Sequence, residues 1–387
     1  MRDWVKCPFG LVLLGVLLSA VGSQAAEPLE LNPDQPYSAE RHSPVTYDVD
    51  FSVVITPPYG TQQLRVWLPL PPSDVAQEVS ASQLSSFPLE VTPRTTTEPR
   101  FGNRFAYFEF SRPQGAQIVR HRFRIRVWEL RWKIAPEHVR AVTDWPASFD
   151  RYRRGEAQSV VVDERFRETL DQIVLPKSDP WTGLTQIMTW VQKELTYDHQ
   201  QSSLSASSLH AWEHRRGHCS DYHGLCAAFG RALGYPTRVT YGINAFPKNS
   251  PSHCKLEAYL PPYGWVSFDV SETQKLVQAI RADRQLADDE KRRLEAAAQA
   301  RLASGFRDHT WYLQTRGSDY ALEPPASRRV AVVRTAYVEA DGQPLPEPDP
   351  ANKQATSFSW MTVHHYVPDR PVTYPFADYR SLDRPDE

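Results

Sequence analysis

The chain carries almost no net charge. Its 44 Lys and Arg against 46 Asp and Glu leave a formal −2 over 387 residues. Without a basic excess it is not built to bind nucleic acid by neutralising phosphates. Past the first 25 residues it has no apolar run of the roughly 20 residues a membrane-spanning helix needs. It has no internal repeat and no calcium loop of the EF-hand type. Cysteine is scarce, with four in all: Cys7, Cys219, Cys226 and Cys254. The rest of the composition is that of a folded protein, 41% hydrophobic and 23% charged, which excludes a mostly disordered chain. At roughly 100–200 residues per domain the length predicts two or three domains. Proline is plentiful, 33 residues, where about 5% is usual; that favours strands and shaped loops over long helical bundles.

The one long apolar run stands at the start. Arg2 and Lys6 precede Phe9 to Val21, and Ser23-Gln24-Ala25 offers a small-x-small site. This is the three-part plan of a secretory signal peptide cleaved after Ala25; an uncleaved anchor is the rival. The remainder is expected to be periplasmic or secreted, with no membrane span. It keeps three cysteines. Secreted proteins normally hold cysteines as disulfides, so an odd count leaves at least one free or intermolecular.

Residues 26–44 are polar and Pro-rich and read as a linker. From Val45 the pattern alternates: Tyr47, Val49, Phe51, Val53 and Ile55 share one face. Leu64–Leu70, Phe105–Phe110 and Ile118–Leu130 read as further strands. Such runs bounded by turn residues predict an antiparallel β-sandwich over 45–135. Residues 180–197 place Leu184, Ile187, Met188, Val191 and Leu195 on one helical face. A second helix is expected from Cys219 to Leu233, stopped by Gly234 and Pro236. Strands follow near Thr237–Gly242, Lys255–Leu260 and Trp265–Val270. Residues 273–303 read as one or two charged helices, a solvated insertion over 276–305. Strands return over 328–340 and 356–367, so 306–387 is expected to complete the core or pack on the β-domain.

Three segments carry chemistry. Gly217-His218-Cys219-Ser220-Asp221-Tyr222-His223 places a cysteine in the first turn of a helix. There the macrodipole and the free N–H groups favour thiolate and can hold an oxyanion. Cys226 lies on the apolar stripe with Tyr222, Phe229 and Leu233, and reads as core. Seven residues at about 1.5 Å rise set it about 10 Å from Cys219, beyond the roughly 7 Å that bridged α-carbons allow. In the second segment, Ser252-His253-Cys254-Lys255-Leu256-Glu257, and the third, Trp265-Val266-Ser267-Phe268-Asp269, the chain forms a hairpin around Pro261-Pro262-Tyr263-Gly264. If Leu260 faces Gly264, His253 is diagonal to Asp269 on one face, within side-chain reach. Asp269 can then orient the imidazole while the other ring nitrogen faces the thiol. Cys254 points away from His253 and reads as a core thiol. Glu272 is the second choice of orienter. Asp221 and His223 read as capping or supporting residues, and Tyr197 and Trp212 as core packing. A metal site on His218, Cys219, His223 and Cys226 is a rival, but its spacing matches no known zinc pattern.

The order Gly-x-Cys-x-Asp-Tyr-His, Arg-Ala-Leu-Gly-Tyr-Pro-Thr-Arg, His-Cys-x-x-Glu-x-Tyr-Leu-Pro and Tyr-Gly-Trp-Val-x-x-Asp resembles the transglutaminase-like superfamily. The likeness is nearest to secreted bacterial members with an N-terminal β-domain. The gaps are familiar: 34 residues from Cys219 to His253 and 16 from His253 to Asp269. The core match covers about 180–275. The resemblance implies an α+β, papain-like core over 150–275, with the cysteine helix packed on an antiparallel sheet. It also implies a Cys219-His253-Asp269 triad and acyl chemistry through a thioester. Lys255 departs from the pattern, standing where many relatives carry an aromatic residue, often Trp.

The expectation is therefore a thiol enzyme acting on amide bonds of a protein or peptide substrate, or one of the cell envelope, with no cofactor and no metal. Hydrolysis is the preferred outcome, since water is the default acceptor and nothing marks a lysine-binding groove. Transamidation is the alternative. A silent binding protein of the cell envelope, its triad a relic, is the rival from another class.

Overall fold

In a computed structural model, residues 1, 30–176, 178–248, 250–348 and 359–382 are described. The expected signal peptide, with Cys7 and the site after Ala25, lies outside the described residues. From Leu31 onward the chain forms one compact unit.

The period-two run predicts a half-buried strand, and Glu40–Ile55 is one, with Tyr47, Val49, Phe51, Val53 and Ile55 all buried. It lies antiparallel between Gln117–Arg131 and Trp360–Pro368, and Phe306–Arg307 and Gln77–Phe87 add to the same sheet. A second sheet runs Gln343–Pro344, Tyr337–Ala340, Gln63–Leu70, Arg104–Ser111, Arg94–Thr97. The inner faces of the two sheets share one apolar core, in which Phe51, Val53, Leu64, Val66, Phe108 and Phe110 are fully or almost fully buried. Each such side chain contributes about 1.5–3 kcal/mol.

Sequence pattern missed Gln77–Phe87 and Arg94–Thr97. Both are Ser-, Gln- or Thr-rich and mostly exposed, so neither has an apolar face to display. The strand expected over 328–340 is shorter, Tyr337–Ala340; Val330 forms only an isolated bridge with Tyr320, and Val333 is buried in a loop. The linker reading is corrected too. Glu40 already begins the long strand, and the chain before it is anchored: the Tyr37 hydroxyl donates to Glu257 Oε1 at 2.7 Å, and the Trp265 indole N–H to the Pro33 carbonyl at 2.8 Å.

Seven α-helices are described: α1 (Asp150–Arg153), α2 (Glu164–Ile173), α3 (Pro180–Glu194), α4 (Ser208–His214), α5 (Cys219–Ala232), α6 (Val270–Ala282) and α7 (Asp288–Ser304). α5 is buried almost throughout, as a helix at the centre of a core must be. It packs against α2, α3, α4 and α6 and against a four-stranded antiparallel sheet. That sheet runs Trp265–Phe268, Ser252–Tyr259, Thr237–Asn244, Trp311–Arg316. The result is a mixed α+β fold with a sheet-rich N-terminal region. α6 and α7 pack on each other through Leu276, Val277, Ile280, Leu294 and Ala298; the charged face of α7 is exposed.

Candidate active site

Cys219 is the first residue of α5. The turn before it depends on Gly217, whose φ is +155° and where a Cβ would collide with the Asp221 side chain. Asp221 closes the helix start by accepting the His218 backbone N–H at 3.0 Å and by bonding the Ser203 hydroxyl. The first-turn N–H groups of Cys219 and Ser220 have no acceptor within a helix, so the thiol sits beside donors and the positive end of the dipole.

His253 is the second residue of its strand. The hairpin has the register in which Leu260 faces Gly264, with a 2.8 Å bond from the Leu260 N–H to the Gly264 carbonyl. The strand ends at Phe268, short of the expected Val270, and Asp269 is instead the N-cap of α6, accepting the Glu272 N–H at 3.1 Å. Capping holds the carboxylate still while its other oxygen accepts the His253 Nε2–H at 2.7 Å. Nδ1 is left free of Asp269, and Cys219 is close enough for its charge to raise the His253 ring. Cys219, His253 and Asp269 are buried, at 6%, 2% and 2% exposure, so their charges act with little screening by water.

The charges are arranged to favour the ion pair. A hydrogen bond with Cys254 lowers the Cys219 thiol first; burial opposes it, and the His218 and His253 imidazoles add to the lowering, leaving it well below the ordinary thiol value. Burial works against the His253 imidazolium, but Asp269 and Cys219 outweigh it and raise the ring to about 9. Burial likewise opposes the Asp269 carboxylate, and His253 and Lys255 overcome it, holding it well below the usual range. A deprotonated Cys219 and a protonated His253 are mutually stabilised here.

Several neighbours take places that the pattern alone did not give them. Cys254 does point to the opposite face from His253, but α5 packs on that face. Its thiol therefore meets Cys219 and lies 3.5 Å from His223 Nδ1; it is the core thiol expected, fully buried, and that core borders the site. His223 is neutral, with a pKa lowered to about 4 by burial, and its Nε2 accepts the Val270 N–H at 3.0 Å. That engages the ring in tying α5 to α6. Glu272 is 3.9 Å from His253 Nδ1, on the thiol side of the ring rather than behind it. Tyr197 lies close enough for the Cys219 charge to raise its hydroxyl pKa, after burial. Trp212 packs with Trp190 and Phe166. Cys226 is fully buried in the core. Among the described residues no cluster of three or more His, Cys, Asp or Glu could hold a metal ion.

Tyr374 comes from far along the chain. Its ring packs tilted on Phe246, centroids 4.4 Å apart, and burial, then the Glu272 charge, raise its hydroxyl pKa. No local signal marks it, since Thr373-Tyr374-Pro375 reads as ordinary loop.

Known proteins resemble this chain in fold and in one segment of sequence. A protein of Cytophaga hutchinsonii, described as a candidate cysteine protease, shares the fold at a TM-score of 0.59 over 89% of this chain and 98% of its own, with 13% identity. The periplasmic domain of TgpA from Pseudomonas aeruginosa aligns over 58% of this chain and 87% of its own, at 14% identity and a TM-score of 0.32. An uncharacterized protein of Haemophilus influenzae is 22% identical over 371 residues, 86% of this chain and 95% of its own length. The family model of the transglutaminase-like superfamily matches residues 167–270. That segment, which carries Cys219, His253 and Asp269, is a transglutaminase-like domain.

Proposed function

We propose that the protein is a thiol hydrolase of the cell exterior that cleaves amide bonds through a Cys219 thioester. The observation that carries this reading is the 2.7 Å bond from His253 Nε2 to the helix-capping Asp269, which leaves Nδ1 for the first-turn thiol. The Cys219 thiolate attacks the carbonyl carbon, and the N–H groups at the start of α5 receive the oxyanion. The carbon–nitrogen bond breaks as His253 gives its proton to the leaving amine. Water then attacks the thioester, His253 takes the water proton, and the acid and the thiolate are released. Asp269 keeps the proton-bearing Nε2 turned away from the reaction and stabilises the imidazolium. The exterior location rests on the signal-peptide pattern of residues 1–25.

The test is the rate of iodoacetamide alkylation against pH, with the labelled site mapped by mass spectrometry. Fast labelling of Cys219 at pH 6, lost in His253→Ala, is expected. Slow labelling that appears only above pH 8 and is unchanged in that variant would remove the enzyme reading in favour of a silent binding protein. With a reactive thiol, release of free acid from peptide amides supports hydrolysis; preferential incorporation of an added primary amine would instead make the protein an acyl transferase.

A further inference from the structure

Behind the triad lies a charge that the chemistry above does not use. Lys255 follows His253 by two residues, so both side chains leave the strand on one face. Its ammonium is fully buried, with Nζ 2.7 Å from Asp269 Oδ2 and 3.0 Å from Asp308 Oδ2. The oxygen it bonds on Asp269 is the one that accepts from His253. Trp311 and Phe376 wall the ammonium in, their ring centres 5.2 and 5.3 Å away. Asp308 is itself fixed, with its other oxygen accepting the Thr310 N–H at 3.0 Å. A buried lysine is costly unless paired. A position whose only task was to fill space beside Trp311 would be served by an apolar side chain.

We propose that Lys255 is a positioning residue of this site: bridging Asp269 to Asp308, it divides the negative charge of Asp269 and so limits how tightly that carboxylate holds the His253 proton. The inference rests on the thiol-enzyme reading and deepens it. An imidazolium that kept its proton too firmly would be a poor acid toward the leaving amine. Cation and imidazolium meet on one carboxylate oxygen, each weakening the other's hold.

Other charges also face His253. From α6 come Asp269 and Glu272, the latter paired with Lys275 and, at 3.8 Å, with Lys248 from the loop before the strand. From α5 come Cys219, His218 and His223, and from its own strand Cys254 and Lys255. Tyr197 and Tyr374 stand beyond the thiol and Glu272. Of these, Lys255 is the cation bonded to the oxygen that His253 uses.

The experiment follows the His253 imidazole itself by NMR in histidine-labelled protein, its signal assigned by loss in His253→Ala. In Lys255→Met the proton affinity of His253 should rise by about tenfold, one pKa unit. In Asp308→Asn it should fall, because Lys255 then leans wholly on Asp269. Should Lys255→Met fail to fold, Lys255→Met/Asp308→Asn removes one charge of each sign and leaves no buried carboxylate without its cation. There the rise should persist but be smaller. A His253 titration unmoved in the folded variants, or moved in the same direction by Lys255→Met and Asp308→Asn, would overturn the proposal. The readout needs no activity, so an unreactive Cys219 would sink the enzyme reading while leaving this result to stand or fall separately.

Discussion

Two strands of this protein obey the same alternation and end in opposite situations. In Glu40–Ile55 the apolar face is buried in the sandwich and the other face carries Asp48 and Asp50, which pair with Arg124 and Arg120 at the surface. In Ser252–Tyr259 one face is Cys254, Leu256 and Ala258, and the other is His253, Lys255 and Glu257, yet both are buried. The second polar face is matched by the neighbouring strand and by segments farther along the chain. Tyr37 and Arg238 bond Glu257, and Asp308 bonds Lys255. Alternation therefore reports which residues share a face. Whether the polar face meets water or other protein depends on what packs upon it, and a buried polar face must be matched group by group.

The comparison can be broken or sharpened by mutation. The largest effect should come from the site layer: Cys219→Ser should abolish amide hydrolysis, measured as release of acid from a peptide amide. Asp269→Asn should lower that rate by about 10²- to 10⁴-fold while the fold is retained, because Asn still caps a helix but cannot stabilise the imidazolium. Circular dichroism and the kinetics of the same preparation check both parts. Glu257→Ala leaves Arg238 buried without its 2.6 Å partner and should cost about 3–5 kcal/mol in denaturant unfolding. The pH profile of hydrolysis should be bell-shaped. The reactive form needs Cys219 deprotonated and His253 protonated, so activity rises as pH climbs through the lowered thiol value and falls as pH climbs through about 9. An alkaline limb near 6.5 in place of 9 would mean that His253 is not held by Asp269. The smallest effect belongs to the sandwich surface. Arg124→Ala removes an exposed pair and should leave the melting temperature and Cys219 labelling unchanged. A large loss there would dissolve the contrast between the two strands.

Much of the site could be read from the chain because its signals are local. Gly217 before Cys219, the stop at Gly234 and Pro236, and the Pro-Pro-Tyr-Gly turn are each set by the conformations those residues allow. They place a cysteine at a helix start and fix the hairpin register. The same local logic misplaced Asp269, since a residue that can end a strand can equally cap the next helix, and the choice fell to the packing of α6 on α5. It read Cys254 correctly as a core thiol but not its closeness to Cys219, because strand alternation gives a direction and not what lies there. Asp308 and Tyr374 carried no readable signal; each reaches the site only through contacts between segments distant in sequence.

By itself, the sequence determined which residues are helical or extended where periodicity is strong. It also determined that a cysteine, a histidine and a carboxylate occur at spacings suited to acyl chemistry. Tertiary structure alone decided how those groups are charged. The lowered thiol, the raised imidazole and the shared carboxylate all arise from burial together with neighbours supplied by α5, α6 and the segment around Asp308. Charge in a protein interior depends on distance and on the exclusion of water, and neither is written in the order of residues.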